Sequence, residues 1–563
     1  MGERIGRGGR GGRGGRGTVR IGIATLATLA TLATAGHTQQ LTPATRAARA
    51  VNPTAMRAHL EFLADDALEG RPPATRGGEL AALYIASQFR RLGLEPAGDS
   101  GSYYHQVPII SLTPTATLSV SGPSGTRTLA YRTDYVVWSM HDEPSVRATS
   151  ELVYVGYGIV APEYQWNDYA GADVKGRIVV ALVNDPGLGD STIFRGKILT
   201  YYGRWTYKLE EAERQGAAGI LLVHTDESAT YGWGNVASSW TGPQVRVSRP
   251  AGPLVAAGWL SREAAGALFG GPAELDRAMA AAAQRGFQAR PLGSRAEATV
   301  RSSIRRSSTS NVVARYAGRG PRAHEVVIIG GHYDHLGIGP AVNGDSIYNG
   351  AEDNASGIGA ILALAEAFVT SGVRPARSIL FIAFGAEESG LLGSTAFAAR
   401  PAMPLRDVAA MINVDGVNLN GRTRDVSALG LDQSSLGRAF TAAAAAEGLR
   451  VSSNEEALLK GYFFRSDHFP LARAGVPAIS LQAGTDFVGR PAEFGKQRAD
   501  DYNARRYHQP DDEVLDTFRY DGAAQVMRVV ARTAISVATA PSQPTWNRTS
   551  EFREAGQQRL AEP

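Results

Sequence analysis

Apolar and polar positions follow different periods along this chain, and the changes of period predict its elements. Apolar side chains recur at helical spacing between residues 52 and 101, and short alternating strands follow in residues 106–140, with turns at Pro114 and Gly122-Pro123. From residue 151 onward many apolar stretches are short and unbroken, which is typical of strands buried on both faces of a sheet. These predicted buried strands cover residues 152–158, 176–183, 219–224, 326–329, 378–384, 409–414 and 477–481.

Helical patterns lie between the strands. The sequence predicts a short helix over residues 207–215, an amphipathic helix over 358–369 with Asn354 or Ser356 as its N-cap, and a closing helix over 522–540. Strands that alternate with helices predict the α/β class, with a mostly parallel central sheet flanked by helices on both faces.

The length of 563 residues is too great for one ordinary core, so two or three domains are expected. We expect residues 36–144 and 301–541 to form one discontinuous domain and residues 145–300, called the insert below, to form a smaller β-rich α/β domain. The insert contains no cluster of potential metal ligands. Residues 225–300 are rich in Gly, Pro and Ala and show no clear division, and residues 542–563 are expected to be a tail.

The N-terminus has the layout of an export signal. Six arginines precede an apolar stretch of about 15 residues, short for a membrane span, and Ala33-Thr34-Ala35 forms a small-x-small cleavage site. We expect residues 1–35 to be a signal peptide and the protein to be exported to the periplasm or beyond, although a retained anchor is the alternative. Once the signal is removed, no segment is expected to span a membrane. A nucleic-acid-binding role for the Gly-Arg repeats of residues 6–17 is not expected, because the signal explains the arginines.

Charge and cysteine content narrow the chemistry further. The whole chain carries a net +4, but residues 1–35 contribute six Arg and one Glu, so the remainder stands at −1 and implies no basic partner-binding surface. The chain has no cysteine, which excludes disulfides and thiolate metal sites. Any metal must therefore be held by histidine and carboxylate side chains.

Six residues in the second half of the chain end apolar stretches or lie in polar or Gly-rich turns. Strands that end in such residues direct them into the crevice where open α/β sheets bind their ligands. Neutral imidazoles with carboxylates suit zinc, and a shared carboxylate allows two metals to lie about 3.5–4 Å apart. The six are His332, Asp353, Glu387, Glu388, Asp415 and His508.

Each motif also has a simpler interpretation when it is considered alone. His332 could be a surface histidine after a strand, although Asp334 is then placed to accept its spare imidazole N–H, while His335 faces the other way as a rim or structural residue. Asp353 could merely favour the dipole of the helix that follows it. Glu387 and Glu388 could belong to a solvated acidic turn, Asp415 to a simple turn and His508 to a surface loop. All five simple interpretations would have to be true at once for the metal site to be absent.

Glu387 and Glu388 form the most informative of these motifs. They end a fully apolar strand, and neighbouring side chains point apart, so one carboxylate can bind metal while the other stays free. A free carboxylate beside a metal-bound water is what a general base requires.

Together, the motifs resemble those of the co-catalytic zinc exopeptidases, a family that includes secreted bacterial leucyl aminopeptidases, plasma glutamate carboxypeptidase and glutamate carboxypeptidase II. The resemblance covers roughly residues 50–540 and implies the zinc exopeptidase fold. The insert resembles a protease-associated domain and includes the stretch Tyr-Tyr-Gly-Arg-Trp-Thr-Tyr-Lys at residues 201–208. The motifs that carry the resemblance are residues 332–334, 352–357, 387–388, 413–415 and 507–510.

The resemblance implies two Zn²⁺ ions, although other divalent ions are possible. Asp353 would bridge both metals. His332 and Asp415 would complete one metal site, and Glu388 and His508 would complete the other.

The remaining roles are also implied by the resemblance. Glu387 would act as general base and then as acid, and Tyr507 would hydrogen-bond the developing oxyanion. Asp467 and His468 are expected near the substrate pocket, together with Arg465.

The expected activity is hydrolysis of peptide bonds at chain ends, with a peptide as the substrate. An aminopeptidase is favoured, because a carboxylate-rich site suits a free ammonium group. A carboxypeptidase or dipeptidase would need cationic groups, for which Arg465 is the nearest candidate by motif. A non-catalytic, receptor-like binding protein on the same scaffold is the third possibility. The sequence fixes neither the side-chain preference nor the oligomeric state.

Overall fold

The computed structural model describes residues 41–122 and 125–561. The predicted signal peptide, residues 1–35, lies outside the described residues. From Thr42 onward the described residues form one compact unit.

The α-helices of the described residues are numbered in chain order. They are α1 Pro43–Arg49, α2 Pro53–Leu63, α3 Arg76–Arg91, α4 Trp205–Arg214, α5 Asp226–Ala229, α6 Trp233–Ser239, α7 Arg262–Phe269, α8 Pro272–Ala282, α9 Ser356–Ser371, α10 Leu392–Ala399, α11 Leu436–Ala446, α12 Glu455–Leu459, α13 His468–Arg473, α14 Phe494–Arg505, α15 Tyr520–Thr539 and α16 Arg553–Ala561.

The strands of the described residues are numbered in the same way. They are β1 Glu95–Pro96, β2 Tyr104–Gly122, β3 Gly125–Thr128, β4 Tyr135–Ser139, β5 Ser145–Tyr154, β6 Val160–Ala161, β7 Trp166–Asn167, β8 Ile178–Leu182, β9 Gly219–Val223, β10 Gln244–Val247, β11 Ala256–Leu260, β12 Arg290–Tyr316, β13 Val326–His332, β14 Gly337–Val342, β15 Asp345–Tyr348, β16 Ser378–Phe384, β17 Val408–Asn413, β18 Asp425–Leu429, β19 Arg450–Val451 and β20 Ala478–Gln482.

The C-terminal half is built on a sheet with the strand order β19-β18-β20-β17-β13-β16-β12. The strands at its centre are parallel: β13 pairs with β16 on one side and β17 on the other, and β17 pairs with β20. Every side chain of β13, β16 and β17 is buried, as the unbroken apolar stretches predicted. The predicted α/β class with a mostly parallel central sheet is confirmed.

Helices cover both faces of this sheet. On one face, α1, α2, α9, α11 and α15 pack against one another over a large apolar core. The other face is covered by a second core that is rich in aromatic side chains and includes residues of α13 and of the insert. Helix α9 with the turn before it, Ala351–Ser371, is long and apolar enough to cross a membrane by length and composition, contrary to expectation, but 78% of the apolar 18-residue window within it is buried inside the protein.

Two long strands connect the C-terminal sheet with the strands of the insert. β2 and β12 are antiparallel, from Tyr104 opposite Val312 to Ser121 opposite Arg295. The other edge of β12 pairs with β5 near its start and with β16 near its end. A single sheet therefore continues through both regions, and the predicted domain boundaries stay predictions.

Two features of the N-terminal half differ from the sequence pattern. The predicted turn at Pro114 is wrong, because β2 continues through this residue. Proline is tolerated there because β10 pairs only with residues 109–112, which leaves the strand edge beside Pro114 without a partner that needs its missing N–H. Strand β11 was not predicted, because Ala256-Ala257-Gly258 has weak strand propensity, yet β11 lies between β9 and β4.

Candidate metal and catalytic site

The site lies at the carboxyl edge of three adjacent parallel strands. His332 is the last residue of β13, Glu387 and Glu388 follow β16, and Asp415 follows β17. Asp353 lies in a π-helical turn, Ala351–Ala355, directly before α9, and the Asp353–Asn354 peptide bond is cis. The loop between α14 and α15 supplies His508. The fold thus brings all six candidates to one place.

One group of ligands surrounds the ring of His332. Its Nε2 lies 3.2 Å from Asp353 Oδ1 and 3.1 Å from Asp415 Oδ1. Burial opposes a positive charge on this ring, but Glu387 and Asp415 outweigh burial and raise the pKa of His332 well above its usual value. The pocket is therefore strongly electronegative.

A second group surrounds His508. Its Nε2 lies 3.4 Å from Asp353 Oδ2 and 3.2 Å from Glu388 Oε2. The two oxygens of Asp353 thus face two different imidazoles. Despite burial, the two histidines lower the pKa of Asp353, which holds this carboxylate in its charged form.

His335 occupies a different place from the one expected. It is fully buried, and its Nδ1 lies 2.8 Å from Glu388 Oε1, so the description of a rim residue is wrong. The chain leaves the strand geometry after β13, and strict alternation of faces no longer applies beyond His332. His335, Asp353 and Glu388 form one of the residue groups that could hold a metal ion.

Asp334 also acts differently from the prediction. The ring Nδ1 of His332 lies 3.1 Å from the backbone carbonyl of Asp334 but 3.9 Å from its carboxylate. That carboxylate instead accepts the backbone N–H groups of Glu387 at 3.0 Å and Glu388 at 3.3 Å. Asp334 therefore orients the Glu387-Glu388 turn, and the backbone orients His332.

Glu387 forms no ion pair with an imidazole in the described contacts, although its ligand atom lies within 4.8 Å of those of His332 and Glu388. Burial raises the pKa of Glu387 well above its usual range; the charge of His332 opposes the shift, and Asp415 and Asp467 add to it. Glu387 lines a cleft of about 420 Å³ together with His332 and Asp415. A buried carboxyl with a raised pKa that faces a cleft has the properties of a proton carrier.

The side chains of Asp512 and Asn354 hold the turn that carries Asp353, and no sequence pattern predicted the role of Asp512. The carboxylate of Asp512 accepts the backbone N–H groups of Glu352 and Asp353, both at 3.1 Å. Asn354 accepts the N–H groups of Gly357 and Gly416 and donates to the carbonyls of His332 and Val414. Asn354 therefore ties α9 to the ends of two strands, beyond the capping role expected of it.

The side chain of Arg71 holds two loops that carry candidate ligands, although Arg71 lies far from those loops in the sequence. Its buried guanidinium donates to the carbonyls of Tyr333 at 2.8 Å and Gly350 at 3.0 Å, and also to those of Leu63 and Asn349. Burial lowers the pKa of Arg71 to about 10, although nearby carboxylates of the site oppose this shift. The N-terminal segment is thus connected to both loops that carry ligands.

The expected pocket residues divide into two sets. Arg465 lies on the wall of the cleft, and so does Tyr507, which is 46% exposed and stacks on His508 with ring centroids 3.9 Å apart. Asp467 and His468 are fully buried and do not line the cleft, because α13 begins there and turns both inward. Their expected place near the substrate pocket stays a prediction. The charge of Asp467 nevertheless contributes to the raised pKa of Glu387.

The donor set fits divalent metal ions. The ligand atoms of His332, Asp353 and Asp415 lie within 4.8 Å of one another, and so do those of His335, Asp353 and Glu388. Imidazole nitrogens and carboxylate oxygens at such separations are the ligands that zinc accepts in proteins without thiolates.

An open, mostly parallel α/β sheet with imidazoles and carboxylates at its carboxyl edge is typical of metal-dependent enzymes of the α/β class. Residues 311–534, the segment that carries all these ligands, match the family described as Peptidase family M28. This match assigns that segment to family M28 and confirms the resemblance to the zinc exopeptidases.

Individual relatives cover smaller parts of the chain. The leupeptin-inactivating enzyme 1 of Streptomyces exfoliatus is 29% identical over 187 residues, which are 33% of this chain and 38% of that protein. A probable zinc metalloprotease of Pyrenophora tritici-repentis (strain Pt-1C-BFP) is 31% identical over 251 residues, or 39% of this chain and 54% of that protein. The matched segments thus span about two fifths to one half of these relatives.

Among solved structures, an aminopeptidase from Aneurinibacillus sp. strain AM-1 is similar over 89% of this chain and 97% of its own. Its TM-score is 0.42 and its sequence identity is 21%.

Proposed function

We propose that this protein is a zinc-dependent exopeptidase with two metal ions, and that it releases residues from the N-terminus of peptides. The observation that carries the proposal is the position of Asp353, whose Oδ1 lies 3.2 Å from His332 and whose Oδ2 lies 3.4 Å from His508. One carboxylate between two imidazole groups is the arrangement that a shared ligand of two metals requires.

The ligand assignment follows from these contacts. Asp353 would be shared by the two metal ions, His332 and Asp415 would hold one of them, and Glu388 and His508 would hold the other. Bound metal ions would polarise the substrate carbonyl and acidify a water molecule.

The chain's own groups move the protons. Glu387 accepts a proton from the attacking water at its carboxylate and delivers it to the leaving amine. Its place in the cleft beside the candidate ligands His332 and Glu388 suits both steps. Tyr507 lies beside His508 at the cleft and would donate its hydroxyl to the developing oxyanion.

The charge of the cleft favours an aminopeptidase. Its wall includes Glu352, a carboxylate that also pairs with Arg506, that is neither a proposed metal ligand nor the proposed base, and that suits the ammonium group of a free N-terminus. Arg465 is the cationic side chain on the same wall, and it is the observation that favours a carboxypeptidase or dipeptidase as the second candidate.

A substrate screen with and without a chelator tests the function. We expect hydrolysis of an aminoacyl anilide, loss of hydrolysis in a chelator and recovery on adding zinc, and no cleavage of an N-acetylated peptide. Cleavage of the N-acetylated peptide in preference to the anilide would identify the carboxypeptidase instead.

The Glu387→Gln variant tests the mechanism separately. It should bind the wild-type amount of zinc but lose about two to four orders of magnitude in turnover, the usual contribution of a general base. Turnover close to that of the wild type would contradict the role of Glu387.

We also propose that the protein is exported. The proposal rests on the sequence of residues 1–35 alone, with arginines, an apolar stretch and a small-residue cleavage site. N-terminal sequencing of the mature protein from the producing cell should begin near residue 36.

A further inference from the structure

His335 is a buried histidine beside Glu388, and the proposed mechanism gives it no role. Its ring is fully buried, and its Nδ1 lies 2.8 Å from Oε1 of Glu388. An ionised carboxylate only accepts hydrogen bonds, so Nδ1 carries the proton and donates it to Oε1. The other oxygen of Glu388, Oε2, lies 3.2 Å from Nε2 of His508. The two oxygens of this carboxylate are therefore engaged by two different imidazoles.

The second ring nitrogen indicates that His335 is not itself a metal ligand. Within the described residues Nε2 of His335 is closed off from solvent and has no hydrogen-bond partner. A histidine that binds metal through one nitrogen usually donates its other N–H to a carbonyl or a carboxylate. His332 follows this rule, because its Nδ1 lies 3.1 Å from the backbone carbonyl of Asp334. An N–H on Nε2 of His335 would have no acceptor, so the proton belongs on Nδ1, towards Glu388.

The surroundings of His335 hold its ring in one orientation. The backbone of Gly350 lies against the ring, and a Cβ built on Gly350 would lie 2.6 Å from Cδ2 of His335, so no side chain fits there. The guanidinium of Arg71 donates to the carbonyls of Tyr333 at 2.8 Å and Gly350 at 3.0 Å. Arg71 thus ties together the two segments that enclose the ring, and a ring held in this way can fix the carboxylate that it contacts.

The residue before His335 holds the same glutamate through its backbone. The carboxylate of Asp334 accepts the N–H groups of Glu387 at 3.0 Å and Glu388 at 3.3 Å. Asp334 therefore fixes the backbone from which Glu388 projects, while His335 fixes the end of its side chain. Glu388 is thus held at both ends by two consecutive residues of one loop.

We propose that His335 is a positioning residue that holds Oε1 of Glu388 and leaves Oε2 alone for the metal ion shared with His508. This inference rests on the proposed two-metal site and goes beyond it, because it fixes how many oxygens Glu388 offers. A carboxylate that binds through both oxygens fills two positions around an ion. A catalytic zinc keeps one position open for water or substrate. Holding Oε1 away from the ion therefore keeps room for the substrate.

Three substitutions of His335 test the proposal by zinc affinity, measured in competition with a chromogenic chelator. His335→Leu removes the donor and should weaken binding of one of the two zinc ions about 10–100-fold, the usual effect of losing an outer partner of a ligand. His335→Asn should keep an affinity close to that of the wild type, because its amide N–H takes the place of Nδ1–H. His335→Gln carries the amide one bond further out and should resemble His335→Leu. Wild-type affinity in His335→Leu would overturn the proposal.

The asparagine variant separates positioning from ligation. If His335 were itself a ligand, His335→Asn would lose zinc as strongly as His335→Leu, and that result would overturn the proposal. If the leucine variant does not fold, the asparagine and glutamine variants are compared instead, and equal zinc affinities would overturn it. His224→Leu is the matched control, because His224 is a buried histidine of the insert with one hydrogen bond, to the carbonyl of Tyr231 at 3.0 Å. Its zinc affinity should equal that of the wild type.

Cobalt provides a second readout, which a general loss of stability would not change. The visible spectrum of bound Co²⁺ reports the number and arrangement of its ligands. We expect His335→Asn to match the wild-type spectrum and His335→Leu to differ from it, because the released Oε1 can then approach the ion. Identical spectra for the wild type and His335→Leu would overturn the proposal.

Failure of the two-metal site itself has a different signature. The wild type would then hold fewer than two zinc ions per chain, and the role of His335 would be overturned together with the site. A wild type with two zinc ions and a leucine variant of equal affinity would overturn the role of His335 alone.

Discussion

At the scale of single residues, the ligands depend on side chains that would never touch the metal. Asp512 shows this most directly, since it is fully buried and its two oxygens accept the backbone N–H groups of Glu352 and Asp353. It also contacts Arg506 at 3.2 Å. Asp512 thereby fixes the turn from which Asp353 projects.

We predict that Asp512→Asn weakens zinc binding by about 10–100-fold, the usual effect of losing an outer partner of a ligand. The amide can accept only through one oxygen, so one of the two N–H groups loses its acceptor. Competition with a chromogenic chelator measures the affinity.

Asp511→Asn is the matched control. Asp511 is the exposed neighbour of Asp512, and its backbone carbonyl accepts a hydrogen bond from Arg506 Nε. Equal zinc affinities for the two variants would contradict the role assigned to Asp512.

The ligand positions were predictable from sequence because each follows an apolar stretch or a Gly-rich turn. His335 was not, since the backbone turns after β13 and the alternation of faces fails there. Arg71 was not either, because no local pattern shows that an arginine beyond α2 will lie beneath loops at Tyr333 and Gly350. Side chains that act through distant backbone groups leave no periodic signal.

At the scale of elements, the C-terminal segment is more than a tail. Trp546 and Phe552 are buried in the aromatic core, and α16 presents Arg559 to the sheet. Arg559 is 3% exposed and donates to the carbonyls of Gly475 at 3.0 Å, Leu405 at 2.8 Å and Val408 at 2.7 Å.

We predict that Arg559→Met lowers the free energy of unfolding by about 2–4 kcal/mol, because buried carbonyls lose their donor. Arg553→Met in the same helix is the control, since Arg553 is exposed and its loss should change stability by no more than about 0.5 kcal/mol. Urea unfolding measures both. A similar loss in the two variants would show that helix propensity, not the buried donor, stabilises this segment.

Strands could be predicted where an unbroken apolar composition coincides with complete burial in the structure, as in β13, β16 and β17. β2 was misjudged, because Pro114 looks like a turn until the unpaired strand edge beside it is known. The Ala- and Gly-rich β11 shows the opposite case, in which tertiary pairing with β9 and β4 outweighs weak local propensity.

At the scale of the whole molecule, a carboxyl group lies where the insert meets the C-terminal segment. Glu551 Oε2 accepts the backbone N–H of Tyr201 at 2.8 Å. Burial raises the pKa of Glu551 to about 8. The folded protein therefore keeps this proton to higher pH than the unfolded chain does.

The sign of the pH dependence follows. Below the ordinary pKa of a glutamate both states are protonated, and stability is lost as the pH rises towards 8, where only the unfolded chain has released the proton. The free energy of unfolding of Glu551→Gln should thus equal that of the wild type near pH 4. Between pH 4 and pH 8 it should exceed the wild-type value by an amount that grows by at most about 1.4 kcal/mol per pH unit.

Urea unfolding at several pH values measures this difference. Glu554→Gln is the control, because Glu554 is exposed in the same segment. A difference between Glu551→Gln and the wild type that does not change with pH would contradict the assignment.

The pairing of β2 with β12 also has a consequence for the synthesis of the chain. Most of the insert separates the two strands in sequence, and β2 can pair with its antiparallel neighbour β12 only after residues 295–312 have been synthesised. Pairing of such distant segments is slow, because a long loop must close first. On the ribosome, β2 therefore leaves the exit tunnel with an unpaired edge, which stays unpaired while most of the insert is translated. During this time the apolar face of β2 is exposed, and we expect chaperones to bind the nascent chain there.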